Sequence, residues 1–282
     1  MARDRPLQCL YPEPGTRRLA GLYLDPGWRQ AAHPGPEGCF VYANYVASLD
    51  GRIAVAADAG EPLQVPEAIA NARDWRLYLE LAAQSDALLV SGRYVRELAA
   101  GTAQADFALG EDAPADLLEF RRSLGLTPRP AIAVLSASLE LPPGPLVAAR
   151  RQRRVVVLTI PGAPLARRRE LAAAGCEVID AGASQVLAPR ALAALAGLGL
   201  SYVYAIAGPE VLRSLVVAGR LNRLYLTTVF RLLGGDHIAT LLRGDGVQPP
   251  TGFLLREAYL DQAADASELP QLMQVFDVSR PI

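Results

Sequence analysis

The sequence contains no lysine, so all 28 of its basic residues are arginine. This absence excludes Schiff-base catalysis by a lysine amine and phosphate binding by the lysine of a Walker loop. Histidine is scarce as well, since only His33 and His237 are present. Two histidines cannot form a histidine-rich zinc site, and the H-x-E and P-C-x-x-C pattern of zinc deaminases is missing. We therefore expect no metal centre.

Cysteine and long hydrophobic runs are also sparse. Cys9, Cys39 and Cys176 are odd in number, lie far apart and form no C-x-x-C pair, which indicates reduced thiols rather than a disulfide framework. The N-terminus has no apolar signal region, and no later run is long and charge-free enough to cross a bilayer. These features predict a cytoplasmic protein with no membrane partner.

The composition is that of an ordinary globular enzyme, with 282 residues, 51% of them hydrophobic, and a formal charge of −1. A chain with almost no net charge lacks the positive electrostatic field that attracts a polyanion, so we expect no nucleic-acid partner. Prolines and glycines punctuate residues 1–39, which predicts an N-terminal arm without regular structure. We assign residues 40–282 to one α/β domain.

Apolar strand-like runs alternate with helical periodicity through most of this domain. The predicted strands span 40–47, 86–90, 131–135, 155–159, 177–179, 202–206 and 223–230. The predicted helices begin at Pro66 and at Gly92 and span 115–124, 165–174, 189–196 and 209–218. Such alternation predicts a largely parallel central sheet with helices on both faces. Two later segments, 253–259 and 272–278, alternate as strands and predict an antiparallel C-terminal hairpin at the edge of the sheet.

Two turns lie where a predicted strand feeds a helix, which is where open α/β sheets bind ligands. At Ser91-Gly92-Arg93, the glycine would let backbone N–H groups approach a phosphate at the helix start. Arg93 adds a charge suited to the extra phosphate of NADP. The alternative is an ordinary turn glycine followed by a solvated arginine.

The second turn spans Gly208-Pro209-Glu210-Val211. Pro209 occupies the first helical position, where its missing N–H costs nothing. A second phosphate site and a simple strand-to-helix connection are both compatible with this turn. The G-x-G-x-x-G fingerprint of dinucleotide-binding units is absent.

Three polar residues follow the first predicted strand. Asn44 lies within the apolar run, and Ser48 and Asp50 lie where the run ends at a glycine. Polar groups at the end of a buried strand need partners, and a bound ligand is one candidate. For Ser48 and Asp50 the alternative is a turn whose side chains bond the local backbone.

Taken together, these segments resemble the reductase domain of riboflavin biosynthesis, a relative of dihydrofolate reductase. The run N-x-x-x-S-L-D-G-R-I-A from Asn44 to Ala54 resembles the family's N-x-x-x-S-L-D-G-K-I-A signature. The strand and turn D-A-L-L-V-S-G-R from Asp86 to Arg93 is similar to its D-A-I-L-V-G strand and turn. G-P-E-V-L from Gly208 and L-L-G-G from Leu232 resemble two later blocks of the family.

The resemblance implies a three-layer α/β fold like that of dihydrofolate reductase. It implies an NADPH-dependent reductase that transfers hydride to a ribosylamino-pyrimidine phosphate or a related heterocycle, and it suggests a homodimer. By the same resemblance, Asn44, Ser48 and Asp50 would lie between nicotinamide and substrate. Thr159 matches a family position near the adenosine end of the cofactor.

Departures from the family pattern concern mainly the substrate. An arginine that the family places at the end of the helix before the D-A-I-L strand is replaced here, where the pair is Leu81-Ala82. Arg73 and Arg76 lie on the same helix and are interpreted as solvated, with replacement of the lost charge as the alternative. The first glycine of the family's G-G-P block is Ala207.

A second function class is therefore retained, in which the chain is a non-catalytic nucleotide-binding or assembly module with the same fold. An unrelated α/β hydrolase is disfavoured, since no G-x-S-x-G elbow is present.

Overall fold

The computed structural model describes residues 5–32, 34–56, 58–103, 105–263 and 268–279, so His33 lies outside the described residues. The strands are β1 Leu7–Tyr11, β2 Gly15–Arg17, β3 Phe40–Ser48, β4 Ala54–Val55, β5 Ala87–Ser91, β6 Ala131–Leu135, β7 Val155–Thr159, β8 Glu177–Asp180, β9 Tyr202–Ala205, β10 Arg223–Val229, β11 Ile238–Ala239, β12 Gly252–Asp261 and β13 Gln271–Ser279. The helices are α1 Trp28–Ala31, α2 Ala72–Gln84, α3 Gly92–Ala100, α4 Ala115–Ser123, α5 Pro143–Arg150, α6 Leu165–Ala173, α7 Ala188–Gly197 and α8 Pro209–Val217.

Eleven strands form one mixed sheet in the order β2-β1-β12-β13-β10-β3-β9-β5-β6-β7-β8. The segment from β10 to β8 is parallel throughout, and β13, β12, β1 and β2 continue it with antiparallel pairing. Parallel strands need covered faces, and apolar side chains fill both sides of this sheet. Leu77, Val95, Leu117, Leu146 and Leu171 bury α2 to α6 in the core on one face, while Leu192, Leu195, Leu212 and Leu215 bury α7 and α8 on the other. The predicted α/β fold class is confirmed.

Helix α2 begins six residues later than the expected start at Pro66. Asn71 has extended backbone, and its side-chain oxygen accepts hydrogen bonds from the N–H groups of Arg73 and Asp74. This is the geometry of a helix N-cap, so the cap rather than the proline determines where the helix starts. Helix α5, Pro143–Arg150, lies in a segment that the sequence analysis left without a helix.

The expectation of irregular structure in the N-terminal arm is wrong for its first half. Strand β1 pairs with β12, and β2 pairs with β1, so residues 7–17 extend the main sheet. The C-terminal strands are antiparallel as predicted, but they lie inside the sheet rather than at its edge, because β1 and β2 cover β12. The proposed boundary at residue 40 stays a prediction.

A small second sheet pairs β4 with β11. It holds the segment after β3 against the segment after β10, above the carboxyl ends of the parallel strands. Among the described helices, none has the length and apolar character required to cross a membrane.

Candidate active site

Strand β3 is longer than its neighbour β9, and this difference leaves a slot in the sheet beside residues 44–48 of β3. β3 pairs with β9 only from Phe40 to Ala43, whereas its pairing with β10 runs from Tyr42 to Ser48. Residues 44–48 therefore have a strand on one side only within the described chain. A backbone edge exposed at the carboxyl end of a parallel sheet is where ligands of α/β proteins bind.

Asn44 is the first residue of this open edge and is half-buried. Its side chain hydrogen-bonds the Tyr204 hydroxyl on β9. The Tyr204 ring lies flat on that of Tyr42, with centroids 5.1 Å apart. A protein group thus supplies one of the hydrogen-bond partners that the Asn44 amide needs. The amide keeps further hydrogen-bonding capacity for a ligand.

Ser48 and Asp50 form a tight turn after β3. The Ser48 hydroxyl donates to Asp50 Oδ1 at 2.5 Å and accepts from the Arg52 N–H at 3.0 Å. The Gly51 N–H donates to the Ser48 carbonyl at 2.9 Å, and Gly51 has a φ of +76°, a value that favours glycine. These bonds match the alternative interpretation, in which both side chains organise the local backbone.

Asp50 also fastens the loop after β10. Its carboxylate accepts from the N–H groups of Leu233 and Gly234 at 3.2 and 2.8 Å and from Arg52 Nε at 2.8 Å. Hydrogen bonds from Ser48, Gly234, Arg52 and Leu233 together hold the pKa of Asp50 well below its usual value. Asp50 is thus a carboxylate near neutral pH and is not a proton donor there.

The first predicted phosphate turn has the expected position at the end of β5. Ser91 caps α3, because its hydroxyl accepts from the Tyr94 N–H at 3.3 Å. Gly92 is buried, and a Cβ there would lie 3.2 Å from Ser136 Oγ and 3.1 Å from Leu141 Cδ2. Close packing against these side chains accounts for the glycine without any ligand. Arg93 is 47% exposed and pairs with Glu97 at 2.6 Å.

The second turn has a different environment. Gly208 is the N-cap of α8, and Pro209 is at its first position. A Cβ on Gly208 would meet only Glu210 Oε2, at 3.4 Å, so the space beside its backbone is open apart from a mobile carboxylate. Glu210 lies in the first turn of α8, where its negative charge complements the helix dipole. Val211 follows it in the same turn.

The turns at Ser91 and at Gly208 lie side by side. β5 and β9 are hydrogen-bonded neighbours, and the Ile206 N–H donates to the Leu89 carbonyl at 2.9 Å. The Tyr45 hydroxyl on β3 donates to the Ala207 carbonyl at 2.7 Å and so joins the open edge to the second turn. The segments predicted from the sequence around Asn44, Ser91 and Gly208 therefore converge at one edge of the sheet.

A cavity of about 530 Å³ adjoins the first turn. Its lining includes Ala56, Leu63, Arg93, Glu97, His237 and Arg243. The small β4–β11 sheet supplies part of this lining, since the Ala56 N–H donates to the His237 carbonyl at 2.9 Å. Arg243 also approaches Glu210 at 3.7 Å, which links the cavity to the start of α8.

Thr159 is separate from this group. It ends β7, two strands away from β5, and it is fully buried. Its hydroxyl donates to the Ala137 carbonyl at 3.4 Å. The structure does not bring Thr159 together with the other predicted site residues.

The arginines of α2 are not solvated as interpreted. Arg73 is buried and pairs with Asp261 at 2.6 Å, and Arg76 pairs with Glu80 at 2.7 Å and with Asp116 at 2.5 Å. Leu81 and Ala82, which stand where the family has its L-R pair, are fully buried.

Two features of the site, and one buried charge on α2, carry no recognisable sequence signal. Tyr45 looks like an ordinary strand residue, yet it holds the second turn. The N–H groups of Leu233 and Gly234 gain a partner only through folding. Asp74 looks like a charge that complements the start of α2, but it is buried, and this burial raises its pKa to about 6.

The model of the RibD C-terminal domain family matches residues 39–261 of this chain. No protein of curated function matches the sequence. Among solved structures, a pyrimidine reductase-like protein from Corynebacterium diphtheriae is similar, with a TM-score of 0.67 and 20% identity over 86% of this chain and 93% of that one.

Two further structures share the fold. RibD of Acinetobacter baumannii has a TM-score of 0.60 and 16% identity, and the match covers 87% of this chain but only 59% of that protein. The riboflavin biosynthesis reductase of Saccharomyces cerevisiae has a TM-score of 0.52 and 15% identity, with 91% of this chain and 96% of that one covered. At these identities the similarity establishes the fold.

Proposed function

The chain belongs to the RibD C-terminal domain family, and from this premise we propose that it is an NADPH-dependent reductase of the pyrimidine reductase type. The substrate would be a ribosylamino-pyrimidine phosphate or a related heterocycle. The observation that carries the proposal is the convergence of the open edge of β3 with the turns at Ser91 and Gly208.

The residues present fit an extended dinucleotide. Two helix N-termini lie at adjacent strands, and each offers N–H groups and a partial positive charge to a phosphate. The open space beside Gly208 lets its backbone approach a ligand closely. We assign cofactor binding to Ser91, Gly92, Arg93 and the turn Gly208-Pro209-Glu210-Val211.

The Glu210 carboxylate would have to turn away from a phosphate bound at this helix start. Its side chain is exposed, and its pair with Arg243 at 3.7 Å is a surface contact. Exposed pairs of this kind contribute at most about 1 kcal/mol, so the rotation costs little.

When bound, NADPH supplies the hydride. The protein holds and orients the reactants. Asn44 would contribute its remaining amide hydrogen bonds in the slot beside β3, and Ser48 and Asp50 would keep the turn that shapes this slot. Such positioning is how residues without strong acid or base character accelerate a transfer reaction. Thr159 is left out of the proposed site because it is buried.

The cofactor assignment is tested by ligand-induced stabilisation. We expect millimolar NADPH to raise the melting temperature more than NADH does. Arg93→Ala should remove this preference, since it removes the charge assigned to the extra phosphate. Arg122→Ala, which removes an exposed arginine from α4, is the matched control and should keep the preference.

No stabilisation of the wild type by either nucleotide would refute the reductase assignment. Equal loss of NADPH and NADH binding in Arg93→Ala would refute the specific role of Arg93 while leaving the function in place.

A non-catalytic nucleotide-binding module is the second candidate. It is favoured by the replacement of the family's arginine at Leu81-Ala82 and by the acidic Glu210 at the second turn. Absorbance of NADPH at saturating concentrations of aminopyrimidines distinguishes the two. Turnover of any candidate supports the reductase, and tight NADPH binding without turnover of any candidate supports the module.

We further propose that the protein is a cytoplasmic homodimer. All three cysteines are free and buried, as suits a reducing compartment. Exposed apolar side chains in the first half of β12 provide a surface for a second copy.

A further inference from the structure

A second cavity lies between α2, α3, α5 and the loop that joins α3 to α4. Its volume is about 730 Å³, within the range of roughly 300–1,000 Å³ that is typical of small-molecule sites. It shares no lining residue with the cavity beside the Ser91 turn. The two cavities are therefore separate, and the candidate active site leaves this one without a role.

Aromatic side chains form one part of its wall. Trp75 on α2 is 44% exposed, although large aromatic residues are usually covered. One face of its ring packs on the Tyr78 ring, with centroids 4.7 Å apart and planes 22° apart. This contact fixes the orientation of the Trp75 ring and leaves its exposed area for a flat ring of a ligand. Phe107, which is buried, also lines the cavity.

The loop after Phe107 provides hydrogen-bond donors. The carbonyls of Ala108 and Leu109 accept from the Arg153 guanidinium at 2.9 and 2.8 Å, and the carbonyls of Leu109 and Gly110 accept from Arg129 Nε at 3.0 and 3.3 Å. The N–H groups of the same three loop residues make no hydrogen bond to any residue that the structure describes. Ala108 and Leu109 are buried, and unpaired N–H groups in buried segments are rare. A partner from outside the chain would satisfy them.

A buried arginine makes the interior of this cavity positive. Arg153 lines the cavity, is only 7% exposed and pairs with no carboxylate in the described part of the chain. Burial, together with the nearby charge of Arg129, lowers the pKa of Arg153 to about 10, so the side chain is still a cation at neutral pH. A buried cation without a counter-ion is unfavourable, and a bound anion would relieve this. Arg151 adds an exposed cation to the lining.

Three acidic residues also line the cavity, and all are exposed: Asp106, Glu111 and Asp112. The Asp106 carboxylate accepts from the Phe107 N–H at 2.6 Å, and that of Glu111 accepts from Gln152 at 2.8 Å. Water and salt screen exposed charges more than buried ones. The attraction of Asp106 for Arg153 is smaller than the opposing effect of burial. A ligand inside the cavity therefore meets the charge of Arg153 first.

We propose that this cavity is a second ligand site, which binds a flat aromatic ring that carries a phosphate group. The ring stacks on Trp75. The phosphate oxygens accept from the free N–H groups of residues 108–110 and pair with Arg151 and Arg153. A phosphate suits this set because it offers several charged acceptors to backbone N–H groups and guanidinium groups at once. The site does not depend on the proposed reductase function.

Calorimetric titration with 1-naphthyl phosphate tests the proposal. 1-Naphthol lacks the phosphate and inorganic phosphate lacks the ring, so each should bind the wild type at least about tenfold more weakly. Arg151→Ala should weaken binding of 1-naphthyl phosphate about tenfold and leave 1-naphthol unaffected, because it removes a cation only. Trp75→Ala should weaken both naphthyl compounds.

Matched controls exist for both variants. Arg122→Ala removes an exposed arginine of α4, and Tyr11→Ala removes an aromatic residue that is 45% exposed on β1. Neither residue lines the cavity, so both variants should bind 1-naphthyl phosphate as the wild type does. Arg151 and Trp75 are themselves exposed, and melting temperatures close to that of the wild type verify that their variants are folded.

Arg93→Ala separates this site from the candidate active site and should bind 1-naphthyl phosphate normally. Weaker binding by Arg93→Ala, with normal binding by Arg151→Ala and Trp75→Ala, would place the probe in the candidate active site and overturn the proposal. Absence of 1-naphthyl phosphate binding to the wild type would also overturn it. So would tighter binding of the cationic 1-naphthylmethylamine, since the acidic residues would then determine the preferred charge. Stabilisation by NADPH tests the reductase function independently of these outcomes.

Discussion

Individual arginines in this protein have very different environments that their sequence positions do not reveal. Arg121 is fully buried and donates hydrogen bonds to the carbonyls of Ala82, Ala83 and Ser85 at the end of α2. Arg122, the next residue, is exposed. Since a helix turns by about 100° per residue, one of two adjacent arginines can enter the core while the other stays in water. The absence of lysine therefore excludes lysine-dependent chemistry, whereas the number of arginines does not show which of them can contact a ligand.

The buried carboxyl group of Asp74 should make the stability of the protein depend on pH. Its pKa in the folded protein, about 6, lies above the ordinary value of 3.8, so the folded state binds more protons than the unfolded state between these values. Stability should consequently fall as the pH rises through this window, by about 3 kcal/mol for a shift of about two units. Asp74→Asn has no carboxyl group that titrates at this position, so its stability should not fall in this way. The difference in free energy of unfolding between Asp74→Asn and the wild type should therefore shift in favour of the variant from pH 4 to pH 7.

Urea denaturation at several pH values measures this difference. Asp245→Asn, which changes a fully exposed carboxylate, should follow the wild type across the range. A constant difference between Asp74→Asn and the wild type from pH 4 to pH 7 would contradict the raised pKa.

At the scale of elements, α2 organises the N-terminal part of the chain. Glu80 is fully buried, and its carboxylate accepts from the N–H groups of Gly21 and Tyr23 at 2.6 and 3.0 Å. Gln84, one turn later, hydrogen-bonds the backbone of Tyr23 and Asp25. A proline- and glycine-rich segment can thus be held in place without long regular elements, because side chains of a neighbouring helix satisfy its backbone.

Glu80→Gln should release this segment. The amide nitrogen of glutamine would face a backbone N–H group, so one buried donor would lose its acceptor at a cost of about 1–3 kcal/mol. We expect lower thermal stability and faster tryptic cleavage at the exposed Arg17 and Arg18. Glu119→Gln, an exposed change on α4, is the control, and identical cleavage rates in both variants would disprove the role of Glu80.

The candidate site also depends on the lengths and pairing of strands β3 and β9. The sequence predicted a strand over 40–47 and a strand over 202–206, close to the observed Phe40–Ser48 and Tyr202–Ala205. Their register could not be predicted, since strand pairing depends on segments that are distant in the chain. It is this register that leaves residues 44–48 with one open side.

On the scale of the whole molecule, the eleven-stranded sheet ends in an antiparallel region with uncovered apolar residues. Phe253, Leu254 and Leu255 of β12 are all exposed, Leu254 by 58%. Strand β1 pairs with β12 only from residue 258 onward and leaves this part open. Among the described residues this stretch of β12 therefore has an unpaired backbone edge beside exposed apolar side chains, and such an edge can pair with a second copy.

We expect the wild type to sediment as a homodimer and Leu254→Glu to sediment as a monomer at the same concentration, because a buried charge at the interface is unfavourable. Leu165→Glu, at an equally exposed leucine of α6, should remain dimeric. A monomeric wild type, or a dimeric Leu254→Glu, would show that this surface has no such role.

Features that depend on neighbours along the chain follow from the sequence alone. Apolar periodicity predicted the order of strands and helices, and the local chemistry of the turns at Ser91 and Gly208 predicted two helix starts that the structure confirms. The excluded chemistries also follow from composition alone. The motifs that resemble the riboflavin reductases are short runs of adjacent residues, and family membership is confirmed on the same basis.

Which groups are buried, paired or left open depends on the folded arrangement of the chain. Burial of Arg73 against Asp261, the oxygen of Asp74 that has no partner in the described chain, the enclosure of Thr159 and the strands of the N-terminal arm all depend on segments far apart in sequence. Local spacing encodes the periodicity of an element, whereas solvent exclusion and hydrogen-bond partners arise from contacts across the sheet. For that reason, the segments that converge at one edge of the sheet could be predicted from sequence, but their burial and electrostatics could not.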